Sequence, residues 1–244
     1  MTNDVSTVPN EVLEQPVKPS AALDGEDRFA ARLRGFGPIG ILTMLVILLV
    51  GNYPVAPAAG ILVLIWVRLS HTPWNQIGYV RPRSWMVTIV TGVAIGCSLK
   101  LVMKAIVMPL LVADPINHAF HYLAGNRAAL PGILYGLIVG AGFGEETVFR
   151  GYLFERLGKL LGRGVQGRIV TVLITSVVFA LAHYSLQGLA GVEQATITGL
   201  VFGTIFAVTG RIWMLMVAHA AYDLTALAFI YWNVESEVAH WVFR

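Results

Sequence analysis

The sequence predicts an all-α, polytopic integral membrane protein with about seven transmembrane helices and a cytoplasmic N-terminus. Three observations predict it. Of the 244 residues, 56% are hydrophobic and only 13% charged, whereas a soluble domain carries roughly 25% charged residues; the mean hydropathy is +0.70. The apolar residues gather into seven segments, several of them near the ~20 residues that a spanning helix needs. The lysines and arginines fall mostly in alternate connections, as the excess of positive charge in cytoplasmic loops requires.

Taken in order, residues 1–35 are polar, with several prolines and acids. They read as a solvated cytoplasmic tail ending in a short basic helix. No apolar core follows a basic start, so the stretch is not a signal peptide. Residues 36–244 form the membrane-embedded domain. Its first two segments, Phe36–Val50 and Pro54–Leu69, are short and joined by GNYP, which suits a tight hairpin. The third, Trp85–Val112, and the fourth, Ala128–Phe154, are long enough to tilt or protrude. An eighth span follows if Trp85–Leu123 is divided differently. The last three are Ile169–His183, Gly188–Val208 and Ile212–Trp232. With the N-terminus inside, only Arg127 and Arg244 fall on outer segments, and Lys100, Lys104 and Arg150 fall within spans. The remaining twelve of the seventeen lie on the inner side, which is why the N-terminus is read as cytoplasmic and the membrane as the cell (inner) membrane.

Composition also excludes partners. The net charge is +3 with no basic run interleaved by aromatics, so no nucleic acid is expected. Cys97 is the single cysteine; it rules out an intrachain disulfide and reads as a packing residue.

Charged groups at mid-membrane cost about 2.5–3.5 kcal/mol each on insertion scales, so they usually face a cavity and act there. Three segments carry such groups. The fourth contains GFGEETVFRG, with Glu145, Glu146 and Arg150. The fifth ends FALAH, with Phe179 and His183, and the seventh contains AHAAYD, with His219 and Asp223. At about 100° per residue, Glu146 and Arg150 stack one turn apart and can pair, while Glu145 points elsewhere. The same spacing stacks His219 on Asp223, which can hold the imidazole in one tautomer. Blander readings stand beside these. A buried ion pair can serve packing alone, and a lone histidine is often a satisfied core residue. Three polar clusters together are harder to explain that way. His71, His118 and His121 read as solvated, and Lys100 and Lys104 as residues snorkelling to lipid or to a cavity.

Gly132, Gly136, Gly140 and Gly144 repeat every four residues ahead of Glu145. Such a stripe lets a neighbouring backbone approach closely, and Gly199 and Gly203 are read the same way. The constellation suggests hydrolysis, because a carboxylate can take a proton from water while histidines orient it or stabilise an oxyanion. Other intramembrane proteases fit less well. There is no HExxH zinc motif, no GxS paired with a later membrane histidine, and Asp223 is the only aspartate within the spans.

At these residues the chain resembles the CPBP family, also called the Abi family, the bacterial relatives of the type II CAAX prenyl endopeptidase. EETVFRG matches its E-E-x-x-x-R pattern, FALAH its F-x-x-x-H and HAAYD its H-x-x-x-N/D, in order, over about residues 128–225. The resemblance implies an intramembrane endopeptidase opening to the cytoplasm. By position, Glu145 would activate water with His183, Arg150 would support Glu145 and Glu146, and His219 with Asp223 would form the oxyanion side. Asparagine is common at the last position. An ionised aspartate cannot donate to an oxyanion, which favours a role for Asp223 in orienting His219.

Glu145, His183 and His219 would also make the His₂Glu set that suits catalytic zinc. The resemblance to the prenyl endopeptidase favours metal-free glutamate chemistry, so no cofactor is expected, with zinc as the alternative. Depth imposes a condition. From the inner ends at 1.5 Å per residue, Glu145 lies roughly 14 Å deep, His219 about 10 Å and His183 about 21 Å. They meet only if the fifth helix starts well inside the cytoplasm, near Gly164. The expected partners are the lipid bilayer and a membrane-associated protein or peptide substrate, such as a prenylated C-a-a-X protein or a leader peptide. The rival functions are an idle scaffold or bacteriocin-immunity protein of the same family, and a transporter. A transporter would bring internal repeats, and none is visible.

Overall fold

The computed structural model describes residues 25–51 and 56–243. Most of the polar tail and the GNYP turn expected from the sequence therefore lie outside the described residues. Besides the short 3₁₀ helices Trp74–Ile77 and His121–Leu123, nine helices are described: α1 (Gly25–Arg34), α2 (Pro38–Gly51), α3 (Ala56–Leu69), α4 (Trp85–Leu110), α5 (Arg127–Leu161), α6 (Val165–Ala182), α7 (Tyr184–Thr209), α8 (Ile212–Tyr231) and α9 (Glu235–Ala239). No strand occurs among the described residues.

Five of these helices, α4 to α8, are long and apolar enough to cross a membrane, and they correspond to the last five apolar segments of the sequence. The first two segments form 14-residue helices, about 21 Å at 1.5 Å per residue, short of the ~30 Å hydrocarbon core. Helices α1 and α2 pass the same test only as a pair, and they meet at a 57° bend. Leucine, valine and methionine side chains on the outer faces, among them Leu49, Met86, Val90, Leu181 and Val208, are exposed, as lipid-facing residues must be. The chain is a multi-pass integral membrane protein.

Local sequence explains where the spans begin and end. The Ser84 side chain accepts from Val87 N at the start of α4, and Asn126 from Ala129 N at the start of α5, each supplying an acceptor for an orphan amide of the first turn. Gly162 ends α5 and Gly210 ends α7, both at positive φ, where an L side chain would be strained. Helix α6 starts directly after Gly164, where depth required it to start if His183 was to meet Glu145 and His219.

Glycines set the helix spacing, some of them expected from the sequence and some not. A Cβ at Gly96 would strike the Ala218 carbonyl and sit 2.8 Å from Tyr222 N, and one at Gly92 would sit 2.8 Å from Met214 O, so α4 lies directly on α8. Gly142 brings α5 as close to Met216 O of α8, and Gly144 meets Gly60 of α3. Gly199 and Gly203 press α7 on Ser176 and Val172 of α6, as read from the sequence. The stripe of Gly132, Gly136 and Gly140 is a correction: no atom lies within 4 Å of a Cβ at Gly132 or Gly136, and all three line a cavity. At Gly132 and Gly136 the lack of a side chain keeps space open rather than closing a helix pair.

Two buried cations fasten the ends. Arg156 Nη1 and Nη2 donate to Arg34 O at 2.5 Å and Gly35 O at 2.6 Å, capping α1 and tying it to α5. Lys104 pairs with Glu235 at 3.1 Å and donates to Pro115 O at 2.5 Å, tying α4 to α9. Of the lipid and cavity alternatives for Lys100 and Lys104, the structure has the cavity: both are buried inside the bundle and line cavities, where each finds polar partners.

Candidate active site

The long helix α5 is wound with π turns over Gly136–Glu145 and Thr147–Leu153. Such turns are rare and recur at functional sites. Glu145 and Glu146 sit at the junction between the two stretches. Their side chains part company as adjacent helical residues must: Glu146 is fully buried, whereas Glu145 lines a cavity of about 670 Å³.

Glu146 is the hub of the buried side. Its Oε1 accepts from Arg150 Nη1 at 2.8 Å and from His219 Nδ1 at 2.7 Å. The pairing of Glu146 with Arg150 is the one that helical spacing predicted. The Arg150 guanidinium lies 4.6 Å from the Phe179 ring and 5.7 Å from Phe202, stacked on aromatic faces that favour a cation. Thr147 adds a brace, donating to Phe143 O at 2.6 Å and meeting Tyr79 OH at 2.8 Å. Burial pushes the Tyr79 phenol up to about 12, so it keeps its proton and donates to Thr147.

The hydrogen bond that Glu146 accepts from His219 Nδ1 bears on the expected role of Asp223. His219 Nδ1 bonds to Glu146, on α5, and not to Asp223 one turn along α8. With Nδ1 committed, Nε2 is the free ring atom, 3.8 Å from Glu145 Oε2 and 3.7 Å from Asp223 Oδ2. Those gaps are too long for direct hydrogen bonds and suit a bridging water. Glu145 Oε2 makes no hydrogen bond to protein.

His183 ends α6 and lines the same cavity. Its Nδ1 donates to Phe179 O at 2.8 Å, which fixes the tautomer and leaves Nε2 as an acceptor. Phe179 spaces the two histidines: its ring centroid is 4.6 Å from that of His183 and 5.9 Å from that of His219. Glu145, His183, His219 and Asp223 thus line one cavity from three helices, with Glu146 and Arg150 behind it.

These residues lie on one matching segment. Residues 127–225, covering α5 to α7 and most of α8, match the family model described as Type II CAAX prenyl endopeptidase Rce1-like. Over this segment the chain is similar to the CAAX protease family. No curated protein and no solved structure matches the chain. The family segment holds all six residues singled out in the sequence, while α1 to α4 lie outside it.

The zinc alternative would use Glu145, His183 and His219, which line one cavity. Among the described residues, no three histidine, cysteine or acidic side chains are grouped to hold an ion. His219 Nε2 lies 3.8 Å from Glu145 Oε2 and 3.7 Å from Asp223 Oδ2.

Gln194 and Tyr222 escaped the sequence reading and join Lys100 in the cavity wall. Lys100 and Gln194 face each other, Nζ donating to Oε1 at 2.8 Å, and Tyr222 OH reaches the same oxygen at 3.4 Å. The signal was present: Glu193 and Gln194 interrupt an otherwise apolar run in GVEQATITG, and intramembrane polar residues mark functional cavities.

Proposed function

We propose that the chain is an intramembrane endopeptidase that hydrolyses a peptide bond of a membrane-associated protein with water activated by Glu145. The observation that carries this reading is the convergence of Glu145 Oε2 and Asp223 Oδ2 on His219 Nε2 at 3.8 and 3.7 Å, in a cavity that a protease-family segment lines. A water held between Glu145 and Nε2 gives up a proton to the carboxylate as its oxygen attacks the scissile carbonyl carbon. The carbonyl π electrons move onto oxygen, and the resulting oxyanion lies on the side of His219. Glu145 then passes the proton to the amide nitrogen as the C–N bond breaks, which restores the carboxylate and releases an acid and an amine.

The surrounding groups position rather than react. Glu146, held by Arg150, fixes the plane of His219. His183, with Nδ1 tied to the backbone, offers Nε2 to the same water. No step in this scheme needs a metal.

The test is cleavage of a library of membrane-associated peptides, including prenylated C-a-a-X sequences, by purified protein in detergent. Turnover by the unaltered protein is expected, with Glu145→Ala, His183→Ala and His219→Ala each reduced to background while the protein still inserts. Near-normal turnover in any one of the three removes that residue from the catalytic set. An absence of cleavage by the unaltered protein leaves the scaffold reading in its place.

A further inference from the structure

The connections between helices gather at two ends of the bundle, and the ends differ in charge. At one end His71, just after α3, lies 3.9 Å from Asp27 of α1. Arg163, between α5 and α6, donates to Gln76 Oε1 at 3.3 Å, and Ile212 N, at the start of α8, donates to Gly78 O at 3.0 Å. Arg81, Arg83, Arg163 and Arg211 lie in the connections of this end, and α1 adds Arg28, Arg32 and Arg34. At the other end Gly125 N, ahead of α5, donates to Tyr231 O at 3.0 Å, and Asn117 N to Glu235 Oε1 at 3.2 Å. Among the described residues of the α4–α5 connection and the chain after α8 there is no lysine or arginine, and Asp114, Glu235 and Glu237 are present. Lysine and arginine are retained in cytoplasmic loops, which makes the first end cytoplasmic and the second outward.

The catalytic chamber belongs to the outward end. On α8 its wall runs from His219 towards Ile230, on α7 from Gln187 to Thr198, and it includes Asn117 and Phe120 of the α4–α5 connection. No residue of the connections at the basic end lines it. Tyr135 and Leu186, on its wall, are 59% and 63% exposed, whereas Phe179, beside the histidines, is 1% exposed. Beyond His219 in the cytoplasmic direction the bundle is solid. Phe202, Phe206, Ile212 and Leu215 are buried there and pack with Tyr79, Phe154 and Trp213.

We infer that the substrate reaches Glu145 and His219 from the outer face of the membrane, and that it is a membrane-anchored polypeptide whose cleaved segment lies at the outer boundary of the bilayer. The inference rests on the protease reading above. It departs from the cytoplasmic opening that the family resemblance implies, and so from a cytoplasmic prenylated chain as the substrate. A segment approaching from the cytoplasm meets the aromatic core before it meets Glu145. A segment approaching from outside meets the open wall of α5, where a Cβ at Gly132 or Gly136 would have no atom within 4 Å. Glycines there let an extended main chain lie close to the helix.

The experiment has two arms. In the first, single cysteines are placed in a Cys97→Ser background, since Cys97 is the one cysteine of the chain. His121→Cys reports the outward end, Arg81→Cys the basic end, and Ala141→Cys the chamber wall one turn before Glu145. A membrane-impermeant methanethiosulfonate, which needs a thiolate in contact with water, is added to intact spheroplasts and to sealed inverted vesicles of a bacterial host. His121→Cys and Ala141→Cys are expected to react in spheroplasts only, and Arg81→Cys in inverted vesicles only. Reaction of Ala141→Cys in inverted vesicles or in neither preparation, reaction of Arg81→Cys in spheroplasts, or protection of His121→Cys there overturns the inference. Ser185→Cys, also on the chamber wall, repeats the measurement where Ala141→Cys fails to insert. In the second arm, the lipid-anchored peptide cut fastest in detergent is given a charged end that keeps it on the leaflet it enters. Right-side-out vesicles are expected to cleave it, and sealed inverted vesicles to show no cleavage until detergent opens them. Cleavage by sealed inverted vesicles overturns the outer approach and leaves the protease reading intact. No cleavage of any peptide in detergent sinks the protease reading and this substrate with it, whatever the cysteines show.

Discussion

His219 Nδ1 donates to Glu146 Oε1 across 2.7 Å, from α8 to α5. The same oxygen accepts from Arg150, so one buried carboxylate oxygen joins an arginine on its own helix to a histidine on another. The bond turns His219 Nε2 towards Glu145 and Asp223. Buried polar networks of this kind are costly when incomplete and rigid when satisfied, which suits a group that must hold an imidazole plane.

Arg150→Ala is expected to lower both activity and folded yield. Arg150 is 1% exposed and Glu146 is fully buried, and breaking a buried pair from one side typically costs about 3–5 kcal/mol. Thermal unfolding in detergent measures it. Unaltered stability shows that Glu146 does not depend on the guanidinium.

At Asp223 the two substitutions are expected to separate. Asp223→Asn retains a polar group beside His219 Nε2 and gains donors for an oxyanion, so substantial turnover remains. Asp223→Ala loses about 10–100-fold, the usual effect of removing a supporting partner. Turnover of both variants across pH decides the matter. An asparagine variant as inactive as alanine means that the charge itself is required, and Asp223 then acts as a base.

Helix spacing is tested by two glycines on different helices. Gly96→Ala places a methyl against the Ala218 carbonyl and is expected to destabilise by about 1–3 kcal/mol, the usual range for overpacking. Gly132→Ala meets nothing within 4 Å and is expected to change the melting temperature little. Equal effects at the two positions refute the assignment of Gly96 as the contact that seats α4.

Metal dependence has a direct readout. Metal-free glutamate chemistry is expected to survive dialysis against EDTA and 1,10-phenanthroline, and elemental analysis of active protein is expected to find far less than one zinc per chain. Loss of turnover that zinc restores, with stoichiometric metal in the active sample, requires the ligand set to be redrawn.

Much of the architecture was legible because the bilayer makes it local. The apolar runs Trp85–Val112 and Ala128–Phe154 and the three that follow must each close their own backbone hydrogen bonds, so composition and length alone announce α4 to α8. Four-residue spacing on one helix likewise determined that Glu146 meets Arg150, and adjacency determined that Glu145 faces away from Glu146. Tertiary structure decided what depends on a second helix. His219 could be stacked on Asp223 from spacing, but the angle of α5 against α8 gives its Nδ1 to Glu146 instead. Glycine spacing said that backbones could approach closely; which glycines meet a neighbour, Gly96 and Gly142, and which line a cavity, Gly132 and Gly136, follows from how the helices are arranged around them. Lys100 read as snorkelling to lipid or to a cavity because a single helix does not say which, and it became a cavity wall once α7 brought Gln194 and α8 brought Tyr222 to its side. Periodicity fixes a residue's direction on its own helix, while a contact needs the relative rotation and depth of two helices, which only packing supplies.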